Sequence, residues 1–387
     1  MRILFVTATY LPTINGVSFQ TSILKKGLEK LGHKVFVLAP SFPGYKDSDK
    51  TVFRYPSIPN PLSKTYPVGL PLITPGNLKK INPDIVHTHH PSLIGQLAGI
   101  LSDTLSVPLI FTAHTHYEKY IHQYFPHGKN ITSSILNADL KNLSRKCYRV
   151  VCPSTNTERR LKKIGIKNTV VISSSIESNF FHKPGRKDYK IPTVVYTGRL
   201  EREKNPLFLV SIAKELKKSL PNFRLLILGD GTLFEDLVSK VHKEKLESNI
   251  ILAGEVARDL LPNIYKTCNL FITPSVTEVM PLSIIEAMAA GIPALALKNS
   301  QLEDIVIDEE TGFLLPRDPK VIAKKITFLF KNPKRLLTIS KNAYRHSLNF
   351  TRRKKSKELE KLYKEAIVST SDNSGRHKFR DRRERTL

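Results

Sequence analysis

The chain has 387 residues, too long for one ordinary core and suited to two domains. Sixty-one Lys and Arg against 34 Asp and Glu give a formal charge of +27, which points to an anionic partner: nucleic acid, an anionic membrane surface or phosphorylated substrates. No apolar run approaches the roughly 20 residues of a membrane helix, residues 1–12 lack a signal-peptide apolar region and cleavage site, and Cys147, Cys152 and Cys268 show no metal spacing and fit a reducing cytoplasm.

Residues 2–7 (RILFVT) form the short apolar run expected of a buried parallel strand. Asn15-Gly16-Val17 follows, then a predicted helix over 18–31 with Leu24, Leu28 and Leu31 on one face. Asn15-Gly16 permits positive φ and a close backbone approach, so the segment reads either as a phosphate loop at a helix start or as a tight turn. It is not a dinucleotide fingerprint, because G-x-G-x-x-G is absent. Residues 35–39 (VFVLA) give the second strand, and the strand–helix–strand order implies a parallel sheet. Asp47-Ser48-Asp49 has the form of a metal-binding Asp-x-Asp, but no buried strand precedes it and lysines flank it, so it reads as a solvated loop. Residues 57–75 are proline-rich and read as a loop.

Strands are predicted over 84–87 and 108–112, the first followed by a helix over 93–101. Five histidines (His87, His89, His90, His114, His116) stand at the ends of these two strands. They invite a metal-site reading, as in metal-dependent hydrolases. Against it, the chain offers no further ligand set spaced for a barrel, and only half the protein would be used. A helix over 135–148, a strand over 150–153, a basic helix over 154–163 and a strand over 170–176 close the first half. Residues 180–191 are polar, with Pro184 and Gly185, and read as the linker.

The second half restarts the pattern. A strand over 193–196 leads into Gly198-Arg199, Lys204 and a helix over 207–218. Arg and Lys beside a glycine turn and a helix start form a diphosphate grip, or else two solvated cations of a very basic protein. Further strands are predicted over 224–228 and 250–252, the latter followed by Gly254-Glu255-Val256. Residues 269–272 are a buried strand, and residues 281–290 a helix stopped by Gly291. Glu278 lies in the loop and Glu286, eight positions later, about one turn into that helix. At about 1.5 Å rise per residue both carboxylates can line one small site, with free helix-start N–H groups that favour a diphosphate.

The stretch TPSVTEVMPLSIIEAMAAGIP resembles the Glu-x7-Glu signature of glycosyltransferase family 4, through Glu278, Pro281, Glu286-Ala287-Met288-Ala289 and Gly291-Ile292-Pro293. Val279 and Met280 replace the family's usual Gly or Thr and aromatic or Gln, which bears on sugar selectivity. Ser173–175 and 299–301 also depart from its Pro-Asn-Gly and Gly-Gly patterns. The resemblance runs to about Val368. It implies the α/β GT-B architecture, two Rossmann-like parallel-sheet domains facing an interdomain cleft. The expected domains are an acceptor-binding domain over 1–182 and a nucleotide-sugar-binding domain over 190–350. A helix over 351–368 crosses back to the first, and a basic tail over 369–387 is disordered.

The resemblance also implies roles. Gly16 and Gly198 lie against the donor diphosphate, which Arg199 and Lys204 neutralise as it leaves. Glu278 contacts the transferred sugar, Glu286 the ribose, and His114 faces the sugar. Val256, Val279, Met280, Pro281 and Leu282 border the donor. The run His114-Thr115-x-Tyr117-Glu118-x-Tyr120 is similar to the subgroup that glycosylates lipids such as diacylglycerol, which puts Tyr117 and Glu118 on the acceptor side. The implied activity is metal-independent, retaining transfer of a hexose from a UDP- or GDP-linked sugar. The co-substrate is a nucleotide sugar with no cofactor. The acceptor is a lipid at an anionic membrane surface, the enzyme being peripheral on its cytoplasmic face, with lysines 25, 26 and 30 and residues 141–149 as candidate contacts. The alternative is a soluble or polysaccharide acceptor. A metal-dependent hydrolase and a nucleic-acid-binding protein are the rivals from other classes.

Overall fold

The structure, a computed structural model, describes residues 1–13, 15–60, 63–71, 81–114, 129–185, 191–275, 280–298 and 302–384, by backbone alone over 63–66, 129–132 and 371–384. The chain divides into two compact units, one of residues 1–175 with 352–387 and one of residues 176–351. The division falls before the polar segment 180–191, because Ile176 and Phe180 are both buried in the second unit's core.

In chain order the first unit comprises β1 (Arg2–Val6), α1 (Gly16–Glu29), β2 (Lys34–Pro40), β3 (Val52–Tyr55), β4 (Ser57–Asn60), β5 (Ser63–Gly69), β6 (Ile85–Thr88), α2 (Ser92–Leu105), β7 (Leu109–Thr112), α3 (Lys129–Lys146), β8 (Arg149–Cys152), α4 (Thr155–Lys163) and β9 (Thr169–Val171). Its main sheet has the order β3-β2-β1-β6-β7-β8-β9, with every pair parallel. Ile3, Leu4, Phe5 and Val6 are all buried, because helices cover both faces. Each such side chain contributes about 1.5–3 kcal/mol relative to exposure. The strand order turns about β1 and β6, so the loops after these two strands flank the switch point where ligands of such sheets bind.

Two readings change here. Residues 57–75, expected as a loop, contain the antiparallel ribbon β4–β5, pairing Ser57 with Gly69 and Ile58 with Val68. Its prolines are tolerated because both strands are edges and need no donor on the outer side. Asp47 and Asp49 are not merely solvated. Asp47 takes Arg54 Nε and Nη2 at 2.8 and 2.7 Å, and Asp49 takes Lys25 Nζ at 2.9 Å. Lys25, which also pairs with Glu29, is therefore buried and is no surface cation, whereas Lys26 and Lys30 are exposed.

The second unit comprises β10 (Thr193–Thr197), α5 (Leu207–Ser219), β11 (Arg224–Leu228), α6 (Phe234–Lys243), β12 (Ile250–Leu252), α7 (Leu261–Lys266), β13 (Leu270–Thr273), α8 (Leu282–Ala289), β14 (Ala294–Leu297), β15 (Gly312–Leu315), α9 (Pro319–Lys331) and α10 (Pro333–Ser347). Its parallel sheet has the order β12-β11-β10-β13-β14-β15, which puts the switch point between β10 and β13. The last helix, α11 (Arg352–Glu384), packs Leu359, Leu362, Tyr363 and Ala366 on the first unit's core. Its backbone runs on to Glu384, through the segment expected as a tail, because Lys, Arg and Glu are good helix formers.

Candidate active site

In the second unit the chemistry collects at the switch point. After β10 the chain turns through Gly198, whose φ of +159° suits glycine, and Tyr196 Oη donates to the Arg199 carbonyl at 3.1 Å. The turn is wedged against its neighbour, since a Cβ at Gly229 would overlap the Gly198 carbonyl. Arg199 Nη2 donates to Glu203 at 2.8 Å, with the guanidinium about half exposed. Lys204 ends the next short turn, and Asn205 closes it in the left-handed region at φ +54°. Two contacts tie this loop to the end of β13. Asn205 Nδ2 donates to the Pro274 carbonyl at 3.4 Å, and Ser275 Oγ to the Glu203 carbonyl at 3.3 Å. The Arg199–Lys204 loop and the strand that leads to α8 are thereby held together.

Pro281 is the N-cap of α8 rather than its first residue, with an extended backbone and no side-chain cap. Among the described residues the first-turn N–H groups have no N-cap side chain and carry the positive end of the helix dipole. Leu282, Met280 and Val256 are partly buried against the unit's core. Glu286 lies in the second turn and is buried at 1% exposure. Its partner is Arg258, which sequence reasoning missed: Arg258 Nη2 donates to Glu286 Oε1, while the guanidinium sits 5.5 Å from the Phe180 ring centre. Burial raises the Glu286 carboxyl above its ordinary value, and the Arg258 charge opposes that rise. No local pattern marks Arg258, which pairs across 28 positions. Glu278 and Val279, like Tyr117 and Glu118, lie outside the described residues.

In the first unit His87, His89, His90 and His114 sit at or just past the ends of β6 and β7, while His116 lies outside the described residues. Asn15 takes an extended N-cap conformation and closes a capping box with Ser18, at 2.9 and 3.1 Å. Neither Asn15 nor Gly16 adopts positive φ, which corrects that part of the expectation, because the cap needs an extended residue. Among the described residues a Cβ at Gly16 would meet nothing within 4 Å, which leaves that stretch of backbone uncovered.

His114 lies two residues past the end of β7, half-buried, and its Nε2 lies 2.9 Å from His89 Nδ1. His89 stacks on His87 at 4.4 Å between centres, and the Phe5 ring stands nearly perpendicular to it at 4.8 Å. His87 joins Thr112 Oγ1 at 2.7 Å and Tyr363 Oη at 2.6 Å, so α11 closes the cluster from behind. His90 Nδ1 accepts the Ala8 N–H at 3.1 Å. Burial holds all four imidazoles neutral, pushing His87 and His90 down to about 3, His114 to about 4 and His89 well below its ordinary value. The rings thus bond to one another and to hydroxyls. Among the described residues no group of three or more His, Cys, Asp or Glu is placed to hold a metal.

Two consecutive doubly wound units, each with a glycine-bordered loop and a helix start at its switch point, are the GT-B architecture of nucleotide-using transferases. The Glycosyltransferase Family 4 description matches residues 14–180, and that of Glycosyl transferases group 1 matches residues 177–346. The chain belongs to glycosyltransferase family 4 and is a glycosyltransferase.

It is 27% identical to the alpha-monoglucosyldiacylglycerol synthase of Acholeplasma laidlawii, covering 95% of this chain and 98% of that one. Against the synthase of the same name from Streptococcus pneumoniae it is again 27% identical, over 96% of this chain and 87% of the other. The GDP-mannose-dependent alpha-mannosyltransferase of Corynebacterium glutamicum is 25% identical over 81% of this chain and 76% of its own. Among solved structures, Anabaena HepE with UDP and glucose superposes with a TM-score of 0.72 at 19% identity, over 94% of this chain and 100% of that one. Sucrose-phosphate synthase of Thermosynechococcus elongatus gives 0.75 at 19%, over 95% and 100%. Among the described residues no helix is long and apolar enough to cross a membrane.

Proposed function

We propose that the protein transfers a hexose from a nucleotide diphosphate sugar to a diacylglycerol-like lipid, with anomeric configuration retained and without a metal. The observation that carries the donor half is the joining of the Arg199–Lys204 loop to the end of β13 at the second unit's switch point. Cations and the N–H groups of a helix start at that point suit a diphosphate. As the bond to the sugar breaks, negative charge grows on the leaving diphosphate. Arg199 and Lys204 stabilise it where a metal would otherwise serve. Glu286, with Arg258 as its counterion, binds the ribose, and Glu278 the sugar hydroxyls. His114 orients the sugar beside the reacting carbon. Gly16 lets the first unit's backbone approach the phosphates.

The lipid half is supported by the two alpha-monoglucosyldiacylglycerol synthases, which align over almost the entire chain. The charge of +27 supports a peripheral enzyme on the anionic cytoplasmic leaflet, each nearby Lys or Arg contributing about 1 kcal/mol. Exposed Lys26, Lys30, Lys141, Arg145 and Lys146 are candidate contacts.

The test is nucleotide release from a panel of UDP- and GDP-sugars, in chelator, with and without anionic vesicles that contain diacylglycerol. Release that needs the diacylglycerol is the expected result. Release indifferent to lipid would move the acceptor to a soluble compound or a polysaccharide, and activity restored only by a divalent ion would overturn the metal-free step.

A further inference from the structure

The His89–His114 hydrogen bond requires one ring to donate and the other to accept. The rest of the His89 ring decides which. Its Nε2 is fully buried and bonds to nothing among the described residues. If the His89 proton sat on Nε2, it would be a donor without a hydrogen-bond acceptor, with the stacked His87 and the nearly perpendicular Phe5 ring around it. A buried orphan N–H is the rarer and costlier error, whereas a buried lone pair is better tolerated.

We infer that His89 carries its proton on Nδ1 and donates it to His114 Nε2, so that His89 is a positioning residue that fixes His114 as the Nδ1–H tautomer and gives it a hydrogen-bond donor for the substrate sugar. Among the described residues the His114 ring has no second side-chain partner, so Nδ1–H is its remaining polar group. A donor there suits a sugar hydroxyl oxygen and does not suit a cation. The Thr112 and Tyr363 hydroxyls act one ring further back, holding His87 at both nitrogens as the platform on which His89 stacks. The His89 backbone is pinned as well, its N–H donating to the Val6 carbonyl at 3.0 Å. Burial, which keeps the rings neutral, leaves a single proton per ring and makes the tautomer a fixed choice.

The inference rests on the sugar-facing role of His114 for its consequence but not for its geometry, and the experiment separates the two. Long-range proton–nitrogen correlation spectra of the 15N-histidine-labelled full chain, with His114 assigned from the His114→Gln variant, read the tautomer directly. A protonated Nδ1 and bare Nε2 on His114 is the expected result. A protonated Nε2 overturns the inference whatever the turnover. His89→Asn, which keeps an amide donor near the Nδ1 position, retains the tautomer and holds kcat within a few-fold. His89→Phe, which fills the slot without a donor, shifts His114 toward Nε2–H and lowers kcat about tenfold, with KM for the donor little changed. Should His89→Phe fail to fold, the wild-type spectrum and His89→Asn still decide. If His114 shows the Nδ1 proton yet His114→Gln turns over like wild type, the sugar contact fails and the positioning geometry stands.

Discussion

Arg258 and Glu286 form a charge pair whose carboxylate is almost completely withdrawn from water. Such pairs gain little when intact and lose much when halved, because the surviving charge has no solvent to turn to. Arg258→Ala is therefore expected to cost about 3 kcal/mol, a fall of roughly 6–12 °C in Tm for a unit of this size. Adding Glu286→Gln to Arg258→Ala is expected to recover part of that loss, since the neutral amide needs no counterion. Thermal melts of the two singles and the double measure the coupling, and strictly additive losses would show that the two side chains do not act as a pair. Arg199 differs, being about half exposed and set on a turn, so Arg199→Ala should leave Tm almost unchanged while lowering kcat about 100-fold. Turnover within twofold of wild type would remove Arg199 from the site.

At the scale of elements, the Gly198–Arg199 turn depends on a glycine that follows the neighbouring strand β11. Gly229, at φ +148°, packs its Cα against the Gly198 carbonyl. Gly254 also has positive φ, +65°, but opens onto free space. Gly254→Ala thus bears only the conformational penalty, about 1 kcal/mol. Gly229→Ala must in addition push backbone aside, and is expected to lower stability by at least twice as much and to displace the Arg199 loop. Equal melting shifts for the two variants would mean that the wedge does not constrain the turn. The same elements explain what was legible in the sequence. The strands β1, β10 and β13 read as unbroken apolar runs because both faces are buried, and Gly198-Arg199 follows its strand directly. Short edge strands carry no such run, so β3 went unseen and the prolines of the β4–β5 ribbon masked it. The histidines at the ends of β6 and β7 read as one cluster in the sequence, and the two strands are neighbours, but the pairing of His89 with His114 is set only by the folded packing. Arg258 reaches Glu286 by the same route, across a core and not along a helix.

At the scale of the whole molecule the two units answer acid differently. The first holds His87, His89, His90 and His114 neutral, with folded values well below the roughly 6.5 of an unfolded chain. Below that pH the unfolded state takes up protons that the folded state refuses. Stability is full above about 6.5 and is lost as pH falls toward 4, at roughly 1 kcal/mol per pH unit for each ring. Glu286 in the second unit is shifted the other way, its folded value lying above its unfolded one. Its contribution is fully present below the unfolded value and is lost as pH rises through the folded one, so acid protects it. His346 in the same unit is lowered and works against that protection, and the exposed Glu244 and Glu247 carboxyls, also lowered, add to it only as pH falls below about 4.5. The first unit's four buried rings, joined by the lowered His33, act from about 6.5 downward. Between pH 7 and 4.5 the first unit should therefore open before the second. Hydrogen exchange followed by mass spectrometry on the full chain reads this directly. Peptides of β6 and β7 should lose protection at a higher pH than those of β13 and α8, and Glu286→Gln should narrow the gap by removing the second unit's acid gain. Simultaneous loss in both units, or earlier loss in β13 and α8, would show that the buried imidazoles do not govern the acid limit of the fold.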